Sequence, residues 1–232
     1  MARLIDCSHT IENGMITYPG LPGPRIGTHL SRADSMVANT GTYLDTPFHR
    51  FEDGYDLADL DLSRVADLPG CVRSDQQTIP PNLMAGINLE GMAVLFCTGW
   101  DRHWGTGHYG DASHPFLAEE AVDILSDAGV ALVGIDSVNI DDTRTGDRPV
   151  HTALLSAGIP IVEHLTGLES LVGAKFRFFA VPPKVREFGT FPVRAFAIVE
   201  YVGENGPPTP AASPLRYFPP NARPCGLAGG DQ

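Results

Sequence analysis

Residues 38–50 read Ala38-Asn39-Thr40-Gly41-Thr42-Tyr43-Leu44-Asp45-Thr46-Pro47-Phe48-His49-Arg50. This run places a carboxylate and an imidazole four residues apart, at Asp45 and His49. Because proline fixes its own φ and turns the preceding residue away from the helical conformation, Thr46-Pro47 is predicted to be extended. Asp45 and His49 are therefore not a helical i,i+4 pair, and Gly41 permits a sharp turn upstream. We expect a rigid, non-helical segment whose polar groups converge on one point.

The same run resembles the signature of the cyclase family that includes bacterial kynurenine formamidase and isatin hydrolase, His-x-Gly-Thr-His-x-Asp-x-Pro-x-His. Five positions of the signature match, namely Gly41, Thr42, Asp45, Pro47 and His49. Asn39 and Tyr43 stand where the family has its two leading histidines, which bind metal. The resemblance extends from about residue 4 to residue 201. It implies a single α/β domain with a mixed sheet, the swivelling β/β/α fold, assembled as dimers or tetramers.

A second part of the chain completes the site that the resemblance implies. In the family a His and a Glu twelve residues apart finish the metal site, and His151 and Glu163 have that separation. The resemblance therefore implies that Asp45, His151 and Glu163 hold a divalent ion, zinc or manganese, with Asn39 as a weak oxygen ligand. A neutral tyrosine is a poor ligand for either ion, so Tyr43 is expected to fill space or donate a hydrogen bond.

Histidine and carboxylate ligands around an ion with one open position are typical of metal-assisted hydrolysis. The ion lowers the pKa of water and polarises a substrate carbonyl. In the family the position of His49 transfers protons, which an imidazole does near neutral pH. Without a metal, His49 is a candidate base, with Tyr43 or His151 as acid or hydrogen-bond donor. The other interpretation of Asp45 and His49 is a structural pair that fixes a loop.

Three hypotheses about function follow. The leading one is a cyclase-family hydrolase of a small amide, cyclic amide or lactone, with His49 as the proton-transfer residue. The second is a metal-free cyclase, dehydratase or isomerase on the same scaffold, since amide hydrolysis needs an activated water and an electrophilic stabiliser. The third is a non-catalytic binder of a small molecule. Dependence on added metal separates the first from the second, and turnover of any substrate excludes the third.

Three aromatic residues are candidates for binding the substrate. Tyr18-Pro19-Gly20 resembles the aromatic-Pro-Gly element that lines the pocket in the formamidases. Trp100 and Tyr109 follow the apolar run 92–97, which is typical of a strand buried on both faces. Loops after such strands often carry function. The histidines that match no ligand pattern are interpreted as surface or loop residues, namely His9, His29, His114 and His164.

The positions of proline, glycine and apolar residues predict the main helices and strands. Ser113 and Pro115 indicate the start of a helix, and Gly129 indicates its end. Residues 26–35, 130–135 and 159–163 are predicted strands, and residues 150–156 a short helix. The cyclase-like α/β domain is expected over residues 1–202. Residues 203–232 are rich in Pro, Gly and Ala, and are expected to form a tail or an arm laid on a neighbouring subunit.

Charge and composition exclude several classes of partner. The formal net charge of −12 argues against nucleic acid and anionic membrane, both of which call for a basic surface. The N-terminal sequence has no signal-peptide pattern, and no apolar run approaches the roughly 20 residues of a membrane helix. The four cysteines form no CxxC pair and are expected to be free thiols. These features predict a cytoplasmic protein. The resemblance to the cyclase family implies a homo-oligomer, a dimer or tetramer, that acts on a small molecule.

Overall fold

The computed structural model of the chain describes residues 3–200, except positions 13, 17, 19, 27–32, 36, 75–77 and 85. The described strands are short. In chain order they are β1 (Arg3–Asp6), β2 (Arg25–Ile26), β3 (Ala33–Ser35), β4 (Tyr43–Asp45), β5 (Leu68–Ser74), β6 (Thr78–Ile79), β7 (Ala93–Cys97), β8 (Phe116–Leu117), β9 (Leu132–Ile135), β10 (Ile161–Glu163), β11 (Phe176–Phe179), β12 (Thr190–Pro192) and β13 (Phe196–Val199).

Two α-helices and several single 3-10 turns complete the described chain. The α-helices are α1 (Ala121–Asp127) and α2 (Pro149–Ser156). The 3-10 turns are Pro47–His49, Leu62–Arg64, Pro81–Met84, Trp100–His103, Gly107–Gly110 and Leu168–Leu171. Every helix in the part of the chain that the structure describes is too short or too polar to cross a bilayer.

Nine of the strands form one mixed sheet, in the order β1-β13-β11-β5-β7-β9-β10-β4-β12. The pairs β5–β7, β7–β9 and β9–β10 are parallel, and the outer pairs on both sides are antiparallel. Alternate residues of β7 enter two different apolar clusters, which shows that both faces of its centre are covered. The predicted single α/β domain with a mixed sheet is confirmed as a fold class.

Two predicted elements were wrong. The helix expected from Ser113 begins only at Ala121, because Leu117 pairs with Ile79 in a parallel β-bridge and its backbone N–H donates to Ile140 O. This tertiary pairing overrides the local proline signal, whereas the predicted helix end is confirmed by Gly129 with φ of +66°. The single strand expected over residues 26–35 is instead two short strands, because β2 pairs antiparallel with β3.

Several other predictions lie wholly or partly outside the described residues. The tail over residues 203–232, the end of the domain at residue 202, and the cysteine at position 225 belong to this group. The described cysteines, Cys7, Cys71 and Cys97, are free thiols as expected. The oligomeric assembly and the cytoplasmic location stay predictions.

Candidate metal centre and cleft

Strand register gathers the acidic half of the site on one face of the sheet. In β4, Tyr43 and Asp45 lie two residues apart and therefore share a face. The antiparallel neighbours place Glu163 of β10 opposite Tyr43, and Thr190 of β12 opposite Asp45. Residues directly opposite each other in antiparallel strands share a face as well. The same face therefore carries Tyr43, Asp45, Glu163 and Thr190.

Helix α2 brings His151 onto this face. Its first turn carries Pro149, and the buried Asp141 of the preceding loop accepts hydrogen bonds from Val150 N at 2.7 Å and His151 N at 3.1 Å. Asp141 thereby satisfies backbone donors that the start of a helix leaves free. Its Oδ2 also lies 2.5 Å from His151 Nδ1. This contact places the proton of neutral His151 on Nδ1 and turns the lone pair of Nε2 towards the carboxylates.

Asp45, His151 and Glu163 form a compact buried cluster. His151 Nε2 lies 3.6 Å from Asp45 Oδ2 and 3.6 Å from Glu163 Oε1. One donor atom from each residue lies within 4.8 Å of the others. Asp45 Oδ2 is buried and has no hydrogen-bond partner among the described residues. Leaving a buried carboxylate oxygen unpaired is unfavourable by at least about 1–3 kcal/mol.

The donor set fits a divalent ion. Two ligands at bonds of about 2.1 Å on a tetrahedral ion lie about 3.4 Å apart, close to the observed 3.6 Å separations. A cation would also supply the partner that Asp45 Oδ2 lacks. The Asp141–His151 contact is the carboxylate–histidine arrangement that orients metal-binding imidazoles. The fold therefore brings together Asp45, His151 and Glu163, three of the residues predicted to bind metal. Asn39, the fourth, lines the same cleft and forms a side-chain hydrogen bond with Tyr43.

Burial and charge act in opposite directions on the ionisation of this cluster. Burial disfavours the charged form of His151, yet the carboxylates of Glu163, Asp141 and Asp45 outweigh it and raise its pKa to about 10. Burial, opposed by His151, raises the pKa of Glu163. Without an ion, an imidazolium between carboxylates is therefore the stable arrangement. An ion that binds there displaces this proton.

Tyr43 is a hydrogen-bond donor in the site. Its hydroxyl is buried and donates to Glu163 Oε2 at 2.6 Å, while Ile140 N donates to Glu163 Oε1 at 2.6 Å. Burial, followed by the charges of Glu163 and Asp45, raises the pKa of Tyr43 well above its ordinary value. The hydroxyl therefore stays protonated and holds one oxygen of the carboxylate in place.

His49 is joined to Asp45 through Thr190. The Thr190 hydroxyl donates to Asp45 Oδ1 at 2.5 Å, and Thr190 Oγ1 lies 2.6 Å from His49 Nδ1. Because the only hydrogen of this hydroxyl is given to Asp45, its oxygen accepts from His49 Nδ1–H. His49 Nε2 then carries a lone pair, and the side chain is 32% exposed, so it can exchange protons in the cleft.

A cleft of about 220 Å³ opens on this cluster. It is lined by Tyr18, Leu21, Asn39, Tyr43, Asp45, His49, Arg50, Asn139, Arg148, His151 and Glu163. Of the three predicted substrate-binding aromatics, Tyr18 lines the cleft. Trp100 and Tyr109 lie instead in a buried cluster with Val138, against which Tyr18 packs. They therefore support the wall behind Tyr18.

Sequence reasoning missed two polar residues of the site. Asp141 and Thr190 carry no motif of their own, so no sequence signal pointed to them. His114 and His164, predicted to be surface or loop residues, lie in loops but are fully buried. His114 contacts Ser137 and Thr143, and His164 contacts Tyr109. His29 lies outside the described residues.

The fold and the site together define the class of this protein. It is an α/β protein with a mixed sheet and few helices, and its cleft holds a buried Asp-His-Glu cluster, a candidate metal site, beside a partly exposed histidine. The family model described as "Putative cyclase" matches residues 5–142 of the chain. The chain belongs to this cyclase family.

Known relatives resemble the chain over most of its length. A kynurenine formamidase from Bacillus cytotoxicus is 28% identical over 211 residues, covering 82% of this chain and 95% of the relative. A solved structure of a potential metal-dependent hydrolase with cyclase activity is 26% identical and has a TM-score of 0.75. The match covers 87% of this chain and 100% of that structure's chain. An isatin hydrolase bound to the product analogue thioisatinate is 19% identical and has a TM-score of 0.74. The match covers 86% of this chain and 93% of the other, and the two share the fold.

Proposed function

We propose that this chain is a metal-dependent hydrolase of a small amide, cyclic amide or lactone. The observation that carries the proposal is the buried Asp45 Oδ2, which accepts no hydrogen bond from the described residues and lies 3.6 Å from His151 Nε2. Membership of the cyclase family and the names of its relatives, a kynurenine formamidase and a potential metal-dependent hydrolase, support the same class of reaction.

Asp45, His151 and Glu163 would hold the ion. A mixed nitrogen and oxygen donor set suits zinc or manganese, and Asn39 offers a further amide oxygen at the edge of the cleft. A divalent ion in this position lowers the pKa of water towards neutrality and polarises a substrate carbonyl. Asp141 holds His151 in the tautomer that such a site requires, and Tyr43 orients Glu163.

His49 performs the proton transfers in this proposal. Its Nε2 takes a proton from the attacking water and then delivers that proton to the leaving nitrogen or oxygen as the carbonyl–heteroatom bond breaks. The hydrogen bonds from His49 Nδ1 through Thr190 to Asp45 leave the lone pair of Nε2 free to accept that proton. The same hydrogen bonds stabilise the positive charge that His49 carries in between.

The proposal is tested by assaying the purified protein on a panel of aryl formamides, isatin and an aryl lactone, before and after chelation. We expect hydrolysis of at least one substrate, its loss on chelation, and its recovery with zinc or manganese. His49→Gln should lower kcat by about 10²–10⁴-fold. Arg144→Gln is the control, because Arg144 is exposed and paired with Asp142 outside the cleft. Turnover that is indifferent to chelation would refute the role of the metal.

A further inference from the structure

Two arginines face the cleft beside the candidate metal centre. Arg50 follows the 3-10 turn that carries His49, and Arg148 directly precedes α2, which carries His151. Both arginines line the 220 Å³ cleft. Both also line an adjoining open depression of about 510 Å³. They therefore stand where the cleft meets the solvent.

Neither arginine has a carboxylate partner among the described residues. Arg50 Nη2 donates to Thr152 Oγ1 at 3.1 Å, and Arg148 Nη2 donates to Tyr18 Oη at 2.8 Å. Four arginines of the described chain instead contact an aspartate at 2.5–2.8 Å, namely Arg144, Arg177, Arg186 and Arg194, while Arg64 and Arg102, away from the cleft, also form no ion pair within that part of the chain. The chain has 28 acidic residues and 16 Lys and Arg residues, so carboxylates are not scarce. Two guanidinium groups at the cleft have thus been left available.

Arg148 is held in a fixed direction. Its Nη1 donates to the backbone oxygens of Thr145 at 3.4 Å and Asp147 at 2.9 Å, while Nη2 binds Tyr18. A guanidinium oriented in advance loses little side-chain entropy when it binds a carboxylate, and its planar fork matches two carboxylate oxygens. Asp147 and Glu119 line only the outer depression, so the inner cleft presents the arginines to a ligand.

We propose that the substrate carries a carboxylate, which Arg50 and Arg148 bind while its scissile carbonyl lies at Asp45, His151 and Glu163. This inference rests on the proposed hydrolase function and adds the chemical class of the substrate. The cleft is smaller than the roughly 300–1,000 Å³ of pockets for drug-sized ligands, so a molecule with one ring fits it. The ring would contact Tyr18, and the carboxylate would lie towards solvent.

Binding of benzoate and of benzamide, measured by isothermal titration calorimetry on the metal-loaded protein, tests the arginines without turnover. We expect benzoate to bind at least about tenfold more tightly than benzamide. R148Q and R50Q should each weaken the affinity for benzoate by about tenfold. R148K keeps the charge but loses the planar fork, so it should give an intermediate loss. R144Q is the matched control and should change nothing, since Arg144 lies in the same loop but outside the cleft.

Benzoate affinity that R148Q, R50Q and R144Q leave equally unchanged would overturn the proposal, because the carboxylate would then bind the ion or another surface. Hydrolysis of formanilide against the three isomeric formamidobenzoates separates this inference from the proposed function. A preference for an anionic isomer that falls about tenfold in R148Q supports both. Equal hydrolysis of all four, unchanged in R148Q, refutes the carboxylate site alone. Arginine-dependent benzoate binding without any hydrolysis supports the anion site and refutes the hydrolase function.

Discussion

Tyr43 Oη donates a 2.6 Å hydrogen bond to Glu163 Oε2 across the antiparallel pair of β4 and β10. The two side chains lie directly opposite each other, so strand register alone brings them together. This bond commits one oxygen of Glu163 to the protein and leaves Oε1, which also accepts from Ile140 N, on the side of His151. Tyrosine at this position therefore shapes the site as an orienting donor.

Tyr43→Phe should destabilise the metal-free protein by about 1–3 kcal/mol, because Glu163 Oε2 is left buried without a donor. The measurement is the free energy of unfolding in urea. Tyr55→Phe is the matched control, since it also removes a tyrosine hydroxyl, but one that donates to the neutral carbonyl of Gly158 at 2.9 Å. An equal loss in the two variants would show that the Glu163 carboxylate does not depend on Tyr43.

Thr190→Val should lower kcat by about 10–100-fold with little change in KM, because His49 loses the hydroxyl that joins it to Asp45. Valine has nearly the same shape as threonine but no hydroxyl. Thr190→Ser keeps the hydroxyl and should recover most of the rate. The comparison of kcat across pH for the three proteins checks the effect. If serine and valine behave alike, the hydroxyl does not position His49.

Asp141→Asn should weaken metal binding by about 10–100-fold, because the amide is a poorer acceptor for His151 Nδ1–H. Competition with a chromogenic chelator measures the affinity without reference to activity. Asp142→Asn, at the neighbouring half-buried residue paired with Arg144, is the control and should leave the affinity unchanged. Equal affinities in all three proteins would remove Asp141 from the metal site.

His9 should make the protein less stable in mild acid. Its ring stacks on Trp104 at 3.8 Å, and burial, partly offset by Asp101, lowers its pKa to about 4. An exposed histidine has a pKa of about 6.5, so the unfolded chain takes up the proton first as pH falls. The stabilisation by neutral His9 is therefore fully present above about pH 6.5 and is lost as pH falls towards 4, by up to about 1.4 kcal/mol per pH unit.

The check is urea unfolding of the wild type and His9→Phe between pH 4 and pH 7.5. Phenylalanine keeps an aromatic ring on Trp104 but does not titrate, so the difference in free energy between the two proteins should change with pH in this window. A difference that stays constant across the range would show that His9 does not take part in acid destabilisation.

The cyclase-family signature is local in sequence, and it predicted the fold class and the cluster. Asp45 and His49 lie in one short run, and His151 and Glu163 are separated by one helix and the turn into the next strand. Thr190 could not be found this way, because it joins the site only through pairing of β12 with β4. The backbone before Thr190 can lie this close to the His49 turn only because residue 189 is glycine, since a Cβ there would come within 2.3 Å of His49 N.

The false helix start at Ser113 has a comparable cause. Its local signals are sound, yet residues 116–117 are recruited into a parallel pair with residues 78–79, which lie far away in sequence. Trp100 and Tyr109 were predicted to contact substrate because they follow a buried strand. The loop folds back instead, and the Trp100 indole N–H donates to Tyr109 O at 2.8 Å. The false helix start arises from a contact that no local pattern encodes, whereas contact of Trp100 and Tyr109 with the substrate stays a prediction.

The metal content of the purified, untagged protein is the first measurement to make. The protein is incubated with excess zinc or manganese, desalted and analysed by elemental analysis, beside D45N and H151Q. Because the described residues contain a single three-ligand cluster, we predict about one equivalent of ion in the wild type and almost none in either variant. A wild type that retains no ion, or variants that retain as much as it does, would contradict a metal centre at Asp45, His151 and Glu163.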